Sequence, residues 1–255
     1  ANLVAAGAGA AGDVSITAAG AILESDPSDL SNPSDPSDDV IADRLTLTAG
    51  TGLGTGAGGP LDVAAHTLVA TTTAGDVNVA ESNDVTLENV VTTAGNAALT
   101  AGGTLTVQTV TAGGSLSLSA GNRIDDDNVN ATRIAAASLS LTAPNGLGAT
   151  GANGTKALDT QVATLTSATV ATAGEINLAE ADGMIVSQVT AANGNVTLTS
   201  ATGNLNLGQV AANTAGNTVT VIAAAGAVTD ADGGAANNVT ATNLALTAAT
   251  SIGAA

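Results

Sequence analysis

The sequence predicts an all-β protein that folds as a parallel β-solenoid, also called a β-helix. Three observations predict this fold class. Apolar and polar residues alternate in short runs, small-residue turns separate these runs, and whole groups of runs recur at a fixed spacing. Recurrence at a fixed spacing is the sequence signature of a repeat architecture, in which each unit packs on its neighbours.

The alternation is clearest in the stretch that begins at Gly102 and reads GTLTVQTVTAGGSLSLSAGN. Leu105 and Val107 flank a threonine, and Leu116 and Leu118 flank a serine. Side chains of a strand point alternately to opposite faces, so each apolar pair lies on one face. The Ala-Gly and Gly-Gly pairs between the runs predict turns, because glycine adopts backbone angles that other residues avoid.

The fixed spacing is twenty residues, and it separates Val85 from Leu105 and Ile176 from Val196. Each unit contains about three short extended segments, which is the length of one coil of a solenoid. A β-sandwich would also alternate, but it does not require equivalent strands in successive units to resemble one another. We therefore expect about 20 residues per coil and roughly a dozen coils.

A longer period is superimposed on the short one. Similar acidic stretches begin at Gly20, Gly121 and Gly226, and related sequences follow them: RLTLTAGTGLG, SLSLTAPNGLG and NLALTAATSIG. This pattern indicates duplication of a unit of about five coils. The expected organisation is a single solenoid segment over 1–255, with acidic loop insertions near 24–39, 125–130 and 230–236.

The composition restricts the interior. The chain is 44% hydrophobic but has no Phe, Tyr or Trp, so aliphatic side chains alone must fill a thin core between facing sheets. The predicted inward positions are Leu45, Leu47, Val77, Val79, Val85, Leu87, Leu105, Val107, Leu116, Leu118, Leu139, Leu141, Ile176, Leu178, Val196, Leu198, Leu205, Leu207, Val219, Val221, Leu244 and Leu246.

The charge balance excludes several classes of partner. The formal net charge is -18, and the chain has only four Lys and Arg residues, too few for a basic patch. We therefore expect no binding to nucleic acid or to anionic membranes. No apolar stretch approaches the roughly 18 to 20 residues of a spanning helix, so no membrane insertion is expected. Metal cations are the natural charged partners of so acidic a chain. Cysteine is absent, so neither a disulfide framework nor a thiolate metal site is expected.

The phrases LTLTAG, GDVNVAE, GNVTLTSATGNLNL and GGTLTV make the chain similar to the repeat regions of filamentous haemagglutinin-like adhesins and related giant strand-repeat surface proteins of bacteria. The resemblance covers essentially the whole chain. It implies a right-handed parallel β-helix that forms a rod, in a protein that is secreted to the cell surface or the extracellular space.

The acidic stretches are candidate calcium sites, because calcium takes about six to eight oxygen ligands from flexible, carboxylate-rich loops. Such loops would bind calcium or bridge neighbouring rods. The alternative is that they are solvated loops that keep an apolar rod soluble, and we favour it because runs of charge are commonly just solvated. The candidate ligands are Asp26, Asp29, Asp35, Asp38, Asp39, Asp125, Asp126, Asp127, Asp230 and Asp232.

No catalytic residue and no cofactor site are expected. His66 is the single histidine, and the sequence offers no second His or Cys with which to build a metal site or a nucleophile-base pair. Glu81 and Glu180 recur at equivalent places, which indicates inheritance through the repeat. Outward threonines suggest an ice-binding ladder, but Asn78 and Asn206 interrupt it, so threonine is interpreted as a residue suited to exposed strands.

Both terminal stretches, ANLVAAGAGA and TNLALTAATSIGAA, resemble the repeats and lack the polar character of a capping unit. We therefore expect that the chain continues or that subunits associate end to end. The predicted function is structural: a secreted extracellular filament, sheath or surface layer built by stacked coils. The alternative is the stalk of a giant adhesin, with surface glycans or neighbouring rods as further possible partners.

Overall fold

The computed structural model describes residues 3–4, 6–7, 10–24, 39–56, 58–127, 133–148, 157–234 and 236–253. Strands and turns account for these residues, and none of them is helical. The strands are parallel and stack turn upon turn as a β-solenoid, which confirms the predicted fold class. The chain divides into two compact units, 1–121 and 122–255, and each is described by itself.

In the first unit, each long strand pairs in parallel with the strand one turn before it and the strand one turn after it. Leu45 on β6, for example, lies between Val14 on β4 and Leu68 on β8. The short antiparallel pair of β2 and β3 is an exception. The strands are β1 (Leu3–Val4), β2 (Ala6–Gly7), β3 (Ala10–Ala11), β4 (Val14–Ala18), β5 (Ala21–Ile22), β6 (Val40–Ala49), β7 (Gly52–Leu53), β8 (Leu61–Thr72), β9 (Val77–Glu81), β10 (Val85–Thr92), β11 (Ala97–Ala101), β12 (Leu105–Val107), β13 (Thr109–Ala112) and β14 (Ser115–Ala120).

The second unit repeats this parallel stacking. Val196 on β20 lies between Ile176 on β18 and Val219 on β22, and Val219 in turn pairs with Leu244 on β25. The strands are β15 (Ile124–Asp126), β16 (Arg133–Ala143), β17 (Leu158–Val170), β18 (Ile176–Glu180), β19 (Met184–Ala191), β20 (Val196–Ser200), β21 (Leu205–Ala212), β22 (Thr218–Ala223), β23 (Val228–Asp230), β24 (Val239–Thr240) and β25 (Asn243–Ala248).

The length of a turn varies more than the sequence predicts. The twenty-residue spacing is confirmed where it was read, because Val85 pairs with Leu105. Elsewhere the turn is longer, and Ile16 pairs with Leu47 across the first acidic insertion. The molecule therefore has about 8 turns of about 23 residues, fewer and longer than the dozen expected. Insertions lengthen the connections between strands while the strands keep their register.

The interior consists of stacked rows of aliphatic side chains, as the composition predicts. All the predicted inward residues are buried except the two on the last strand, Leu244 and Leu246. Leu244 is 52% exposed although its register partner Val219 is fully buried. The difference arises because β25 pairs with β22 along one edge, whereas no described strand pairs with its other edge.

Several turn positions require glycine because successive turns approach each other closely, and not because the backbone there needs the conformational freedom of glycine. A Cβ atom at Gly95 would collide with the carbonyl oxygen of Gly75, and one at Gly194 would collide with that of Gly174. Neither Gly95 nor Gly194 has a positive φ angle, so another residue could adopt the same backbone conformation. The stacking of one turn directly on the next is what excludes a side chain there.

Candidate functional site

The first acidic stretch lies mostly outside the described residues, and this applies to Asp26, Asp29, Asp35 and Asp38. Asp39 lies just before β6, and its backbone N–H donates to the carbonyl oxygen of Asp62 at 2.9 Å. This bond holds the end of the insertion on the next turn of the solenoid.

The second acidic stretch begins inside a strand. Asp125 and Asp126 lie on β15, where neighbouring side chains point to opposite faces. Asp125 accepts a hydrogen bond from Arg123 at 3.1 Å between Oδ1 and Nε, whereas Asp126 is 5% exposed in the inward row. Asp127 follows directly after the strand. The backbone thus directs Asp125 and Asp126 away from each other, so these two carboxylates do not form one cluster.

In the third stretch, the carboxylates hold their own loop together. Asp230 Oδ1 accepts the backbone N–H of Asp232 at 2.9 Å and the side-chain amide of Asn238 at 3.0 Å. Asp232 Oδ1 accepts the N–H of Gly234 at 3.0 Å. These bonds lower the pKa of Asp230 below its usual value, and the bond from the backbone N–H of Asp232 contributes most. Both carboxylates therefore accept hydrogen bonds from the segment between β23 and β24.

Among the residues that the structure describes, no group of three or more His, Asp or Glu side chains is arranged to hold a metal ion. Calcium binding accordingly remains a prediction, and it concerns chiefly the part of the first stretch that lies outside those residues. The third stretch places Asp230 and Asp232 in one loop, and no other described carboxylate joins them in a group that could hold a metal ion.

Two buried glutamates form equivalent corners, one in each unit. Glu81 ends β9 at 4% exposure, and Glu180 ends β18 at 2% exposure. Glu81 accepts the N–H of Ala65 on the preceding turn at 3.0 Å and the N–H of Asn83 at 2.7 Å. Each carboxylate thereby links one turn of the solenoid to the next at the point where the chain changes direction.

Glu180 makes the same contacts and adds a hydroxyl. Its Oε2 accepts the hydroxyl of Thr160 at 2.7 Å and the N–H of Val162 at 3.2 Å. Its Oε1 accepts the N–H groups of Ala181 and Asp182 at 3.0 and 3.3 Å. Burial raises the pKa of Glu180 to about 7, although the bonds from Thr160 and the backbone oppose that shift.

The inward position of Glu81 and Glu180 was not predicted from the sequence. Their recurrence was interpreted only as inheritance through the repeat. Their place in the alternation of each strand could have predicted that they face inward. Each glutamate lies two and four positions after buried aliphatic residues on the same strand, so it occupies the inward face.

A second set of polar contacts joins the turns on the outside. Asp76 Oδ1 accepts the N–H of Asn96 at 2.8 Å, and Asn96 Oδ1 accepts the N–H of Ser115 at 2.9 Å. In the second unit, Asn195 Oδ1 likewise accepts the N–H of Thr218 at 2.9 Å. Each side chain follows a turn glycine and bonds to the equivalent position one coil later. We call these contacts the turn ladder.

His66 lies on the surface of the first unit. Its Nδ1 is 3.1 Å from Asp43 Oδ1, and the imidazole is 81% exposed. A cavity of about 400 Å³ lies beside it, with Ile41, Ala64 and Asp84 among its lining residues. None of the residues that line this cavity supplies a hydroxyl or thiol nucleophile, whereas a second cavity beside His66 is lined by the threonines Thr67, Thr86, Thr104 and Thr106.

The last strands of the second unit form an open apolar edge. Leu244 and Ile252 are each 52% exposed, and they line a cavity of about 340 Å³ with Leu207, Val228 and Leu246. The equivalent leucines of the earlier copies, such as Leu45, are fully buried because a further turn covers them. We call the segment 243–252 the trailing edge.

These features define a β-solenoid repeat protein in which polar side chains link successive turns. No protein-family model, curated protein or solved structure matches the chain. None of the described residues forms a helix that is long and apolar enough to cross a membrane.

Proposed function

We propose that this chain is a structural repeat protein that builds a secreted extracellular filament, sheath or surface layer. It acts by stacking coils and by associating end to end, without catalysing a reaction. The observation that supports this proposal best is the parallel pairing of each inward row with the equivalent row on the turns before and after it, as Leu45 pairs with Val14 and Leu68, and Val196 with Ile176 and Val219. A stack held together in this way lengthens by the addition of further coils.

The contacts between turns suit a mechanical role. Parallel ladders join neighbouring strands, the turn ladder joins the outside of the turns, and Glu81 and Glu180 join the corners. Arg44 also bonds Glu88 through two nitrogens, at 2.7 and 3.0 Å, across more than one turn. Charge-assisted pairs of this forked geometry resist separation better than single neutral bonds.

The extracellular location rests on the resemblance to bacterial surface repeats. It is tested by fractionating cells of the source organism and probing each fraction with an antibody raised against the chain. Signal in the culture medium or in a protease-sensitive surface fraction supports the location. Signal confined to the cell interior contradicts it.

Electron microscopy of the native material tests the structural role itself. We expect continuous filaments or sheets, with a fibre-diffraction repeat of about 4.8 Å along the long axis from the spacing of adjacent strands. Discrete rods that end in a distinct globular tip would indicate the alternative function, the stalk of an adhesin. Dispersed particles without filaments or tips would contradict both functions.

A further inference from the structure

We propose that a groove at one corner of the first unit binds a neutral oligosaccharide. The groove is formed by the two adjoining cavities beside His66, whose linings share His66 and Asp84. We call it the His66 groove. Saccharide binding there goes beyond the structural function proposed above and is independent of it.

The His66 groove crosses several turns of the solenoid. Its two cavities have volumes of about 400 and 420 Å³, within the usual range for small-molecule sites. The first is lined by Ile41 on β6 and Ala64 on β8, and the second by Thr86 on β10 and Thr106 on β12. These four strands pair in succession, one turn after the next. The groove therefore suits an extended ligand.

Two hydrogen-bond acceptors in the groove are held in place by their neighbours. His66 Nδ1 lies 3.1 Å from Asp43 Oδ1. A carboxylate only accepts, so Nδ1–H donates to Asp43 and the neutral imidazole has Nε2 as its acceptor. Asp84 Oδ1 accepts the N–H of Thr104 at 2.5 Å, which leaves Oδ2 as its second acceptor. Both side chains can thus accept hydrogen bonds from the hydroxyl groups of a ligand.

A row of partly exposed threonines lies beside these acceptors. Thr67 pairs with Thr86, and Thr86 pairs with Thr106, so the three residues lie in register on successive turns. Adjacent strands are about 4.8 Å apart, and the row therefore offers a hydroxyl at each step. A threonine hydroxyl both donates and accepts, as the hydroxyl of a sugar does. A chain of linked sugars can accordingly bond to successive members of the row.

The lining of the groove disfavours other classes of ligand. Of the described residues, no Lys or Arg lines either cavity, and a net charge of -18 repels anions. The described part of the chain has no group of three or more His, Asp or Glu that could hold a metal ion. An organic cation would bind to the carboxylates and would gain nothing from the threonine row. A neutral ligand rich in hydroxyl groups uses all of these side chains.

The second unit contains the same corner without these polar groups. The two corners share their buried framework, because Glu81 and Glu180 make equivalent bonds to the preceding turn. The strand registers show that residues without polar side chains replace three members of the groove: Asp43 by Ala137, His66 by Ala163 and Asp84 by Gly183. The corner thus folds without the imidazole and the two carboxylates, as expected if they form a binding site that only one copy of the repeat carries.

The composition makes this groove directly observable. His66 is the single histidine, and the chain has no Phe, Tyr or Trp. After exchange into heavy water, the ring C–H protons of His66 are therefore the only side-chain protons of the protein in the aromatic region of its proton NMR spectrum. A ligand that enters the groove changes the surroundings of these protons, whereas a ligand bound far from it does not.

The probes are maltohexaose, cellohexaose and N-acetylchitohexaose, each added to the native chain. We expect at least one of them to shift the His66 signals in a saturable way, and spermidine, a cation without hydroxyl groups, to leave them unmoved. No shift with any of the three saccharides overturns the proposal. A shift with spermidine in place of the saccharides would show that the groove binds cations. Either failure leaves filament formation, which electron microscopy tests, unaffected.

A pair of charge-matched variants tests the location. Asp84→Asn keeps an acceptor for Thr104 but removes the carboxylate charge, so it should weaken saccharide binding about tenfold. Asp182→Asn is the control, because it removes the same charge from the equivalent corner of the second unit. Equal weakening by both variants would contradict binding at the His66 groove. Circular dichroism confirms that each variant folds.

Ala163→His provides a second, independent check. It adds an imidazole at the equivalent position of the second unit, where the other polar groups of the groove are missing. The signals of the added ring should stay unmoved while those of His66 shift. Equal shifts of both rings would show that the saccharide does not distinguish the two corners, and would overturn the proposed site.

Discussion

Glu180 is a carboxylate placed where water scarcely reaches. Its exposure is 2%, and its four hydrogen-bond donors come from Thr160, Val162, Ala181 and Asp182. The side chain of Asp182 adds a further acidic group at the corner and contributes to raising the pKa of Glu180. Burial therefore outweighs the hydrogen bonds, and the protonated form gains stability in the folded state.

This shift predicts a pH dependence of stability. The pKa of Glu180 is about 7 in the folded protein against 4.5 for an ordinary glutamate, so its contribution is full below 4.5 and is lost as the pH rises through 7. We expect the free energy of unfolding to fall by about 3 kcal/mol across that window, at about 1.4 kcal/mol per pKa unit. Urea unfolding at pH 5 and pH 8 measures the difference.

The control for that measurement is the same pair of titrations on Glu180→Gln. Because the amide does not titrate, this variant should lose the portion of the pH dependence that Glu180 contributes. Glu175→Gln removes a half-buried carboxylate from the same unit and should leave that portion unchanged. An identical pH dependence in wild type and Glu180→Gln would contradict the assignment.

The glycines of the turns permit a second test at the residue scale. Gly95→Ala should destabilise the first unit by about 1 to 3 kcal/mol, because its Cβ overlaps the carbonyl oxygen of Gly75 and one turn must move. Gly20→Ala is the control, since nothing lies within 4 Å of the added Cβ there. Thermal unfolding compares the two variants, and equal melting temperatures would contradict the role of close approach.

At the scale of the element, each turn is joined to the next by hydrogen bonds that run parallel to the stack. The turn ladder begins at Asp76, continues through Asn96 and reaches the N–H of Ser115. Asn96 is suited to the middle of the ladder because its own N–H and its amide donate to Asp76 while its oxygen accepts from Ser115.

Replacing Asn96 tests this ladder. Asn96→Ala should lower the free energy of unfolding by about 1 kcal/mol, the usual contribution of one or two exposed hydrogen bonds. Asn96→Asp keeps the acceptor but brings a second carboxylate beside Asp76, so its cost should be larger at pH 7 than at pH 3. Urea unfolding at both pH values distinguishes lost bonding from repulsion. A constant cost for Asn96→Asp would rule out repulsion.

At the scale of the whole molecule, the acidic residues do not act alike. Asp230 and Asp232 close their own loop, Asp125 bonds Arg123, and Asp126 faces the interior. The acidic stretch at 24–39 differs because it combines several aspartates with serines and prolines and has no arginine. If the protein binds calcium, this stretch is where the sequence concentrates the oxygen ligands.

Calorimetric titration with calcium examines that expectation. Replacing Asp29, Asp35 and Asp38 by Asn should abolish calcium binding, because charge on the ligands dominates affinity for a hard cation. Replacing Asp230 and Asp232 by Asn should leave it unchanged, since their oxygens already accept bonds from their loop. Heat released equally by both variants would contradict the location, and no heat from the wild type would contradict calcium binding.

The period of the sequence was sufficient to predict the fold. Alternation places Leu105 and Val107 on one face, and recurrence at twenty residues pairs Leu105 with Val85. Alternation is a local property and recurrence is visible along the chain, so both can be read from the sequence although the distant contacts are not known. The number of turns was overestimated because the period was read where no insertion occurs and then applied to the whole chain.

The sequence by itself determined which residues of each strand face inward and which strand it pairs with one coil later, since both follow from alternation and repetition. The tertiary structure alone decided three further properties. It showed that Glu81 and Glu180 link turns at buried corners, that Gly95 is needed for close stacking, and that Leu244 is left uncovered. Each of these depends on which atoms lie on the neighbouring turn, and that information belongs to the stack of coils as a whole.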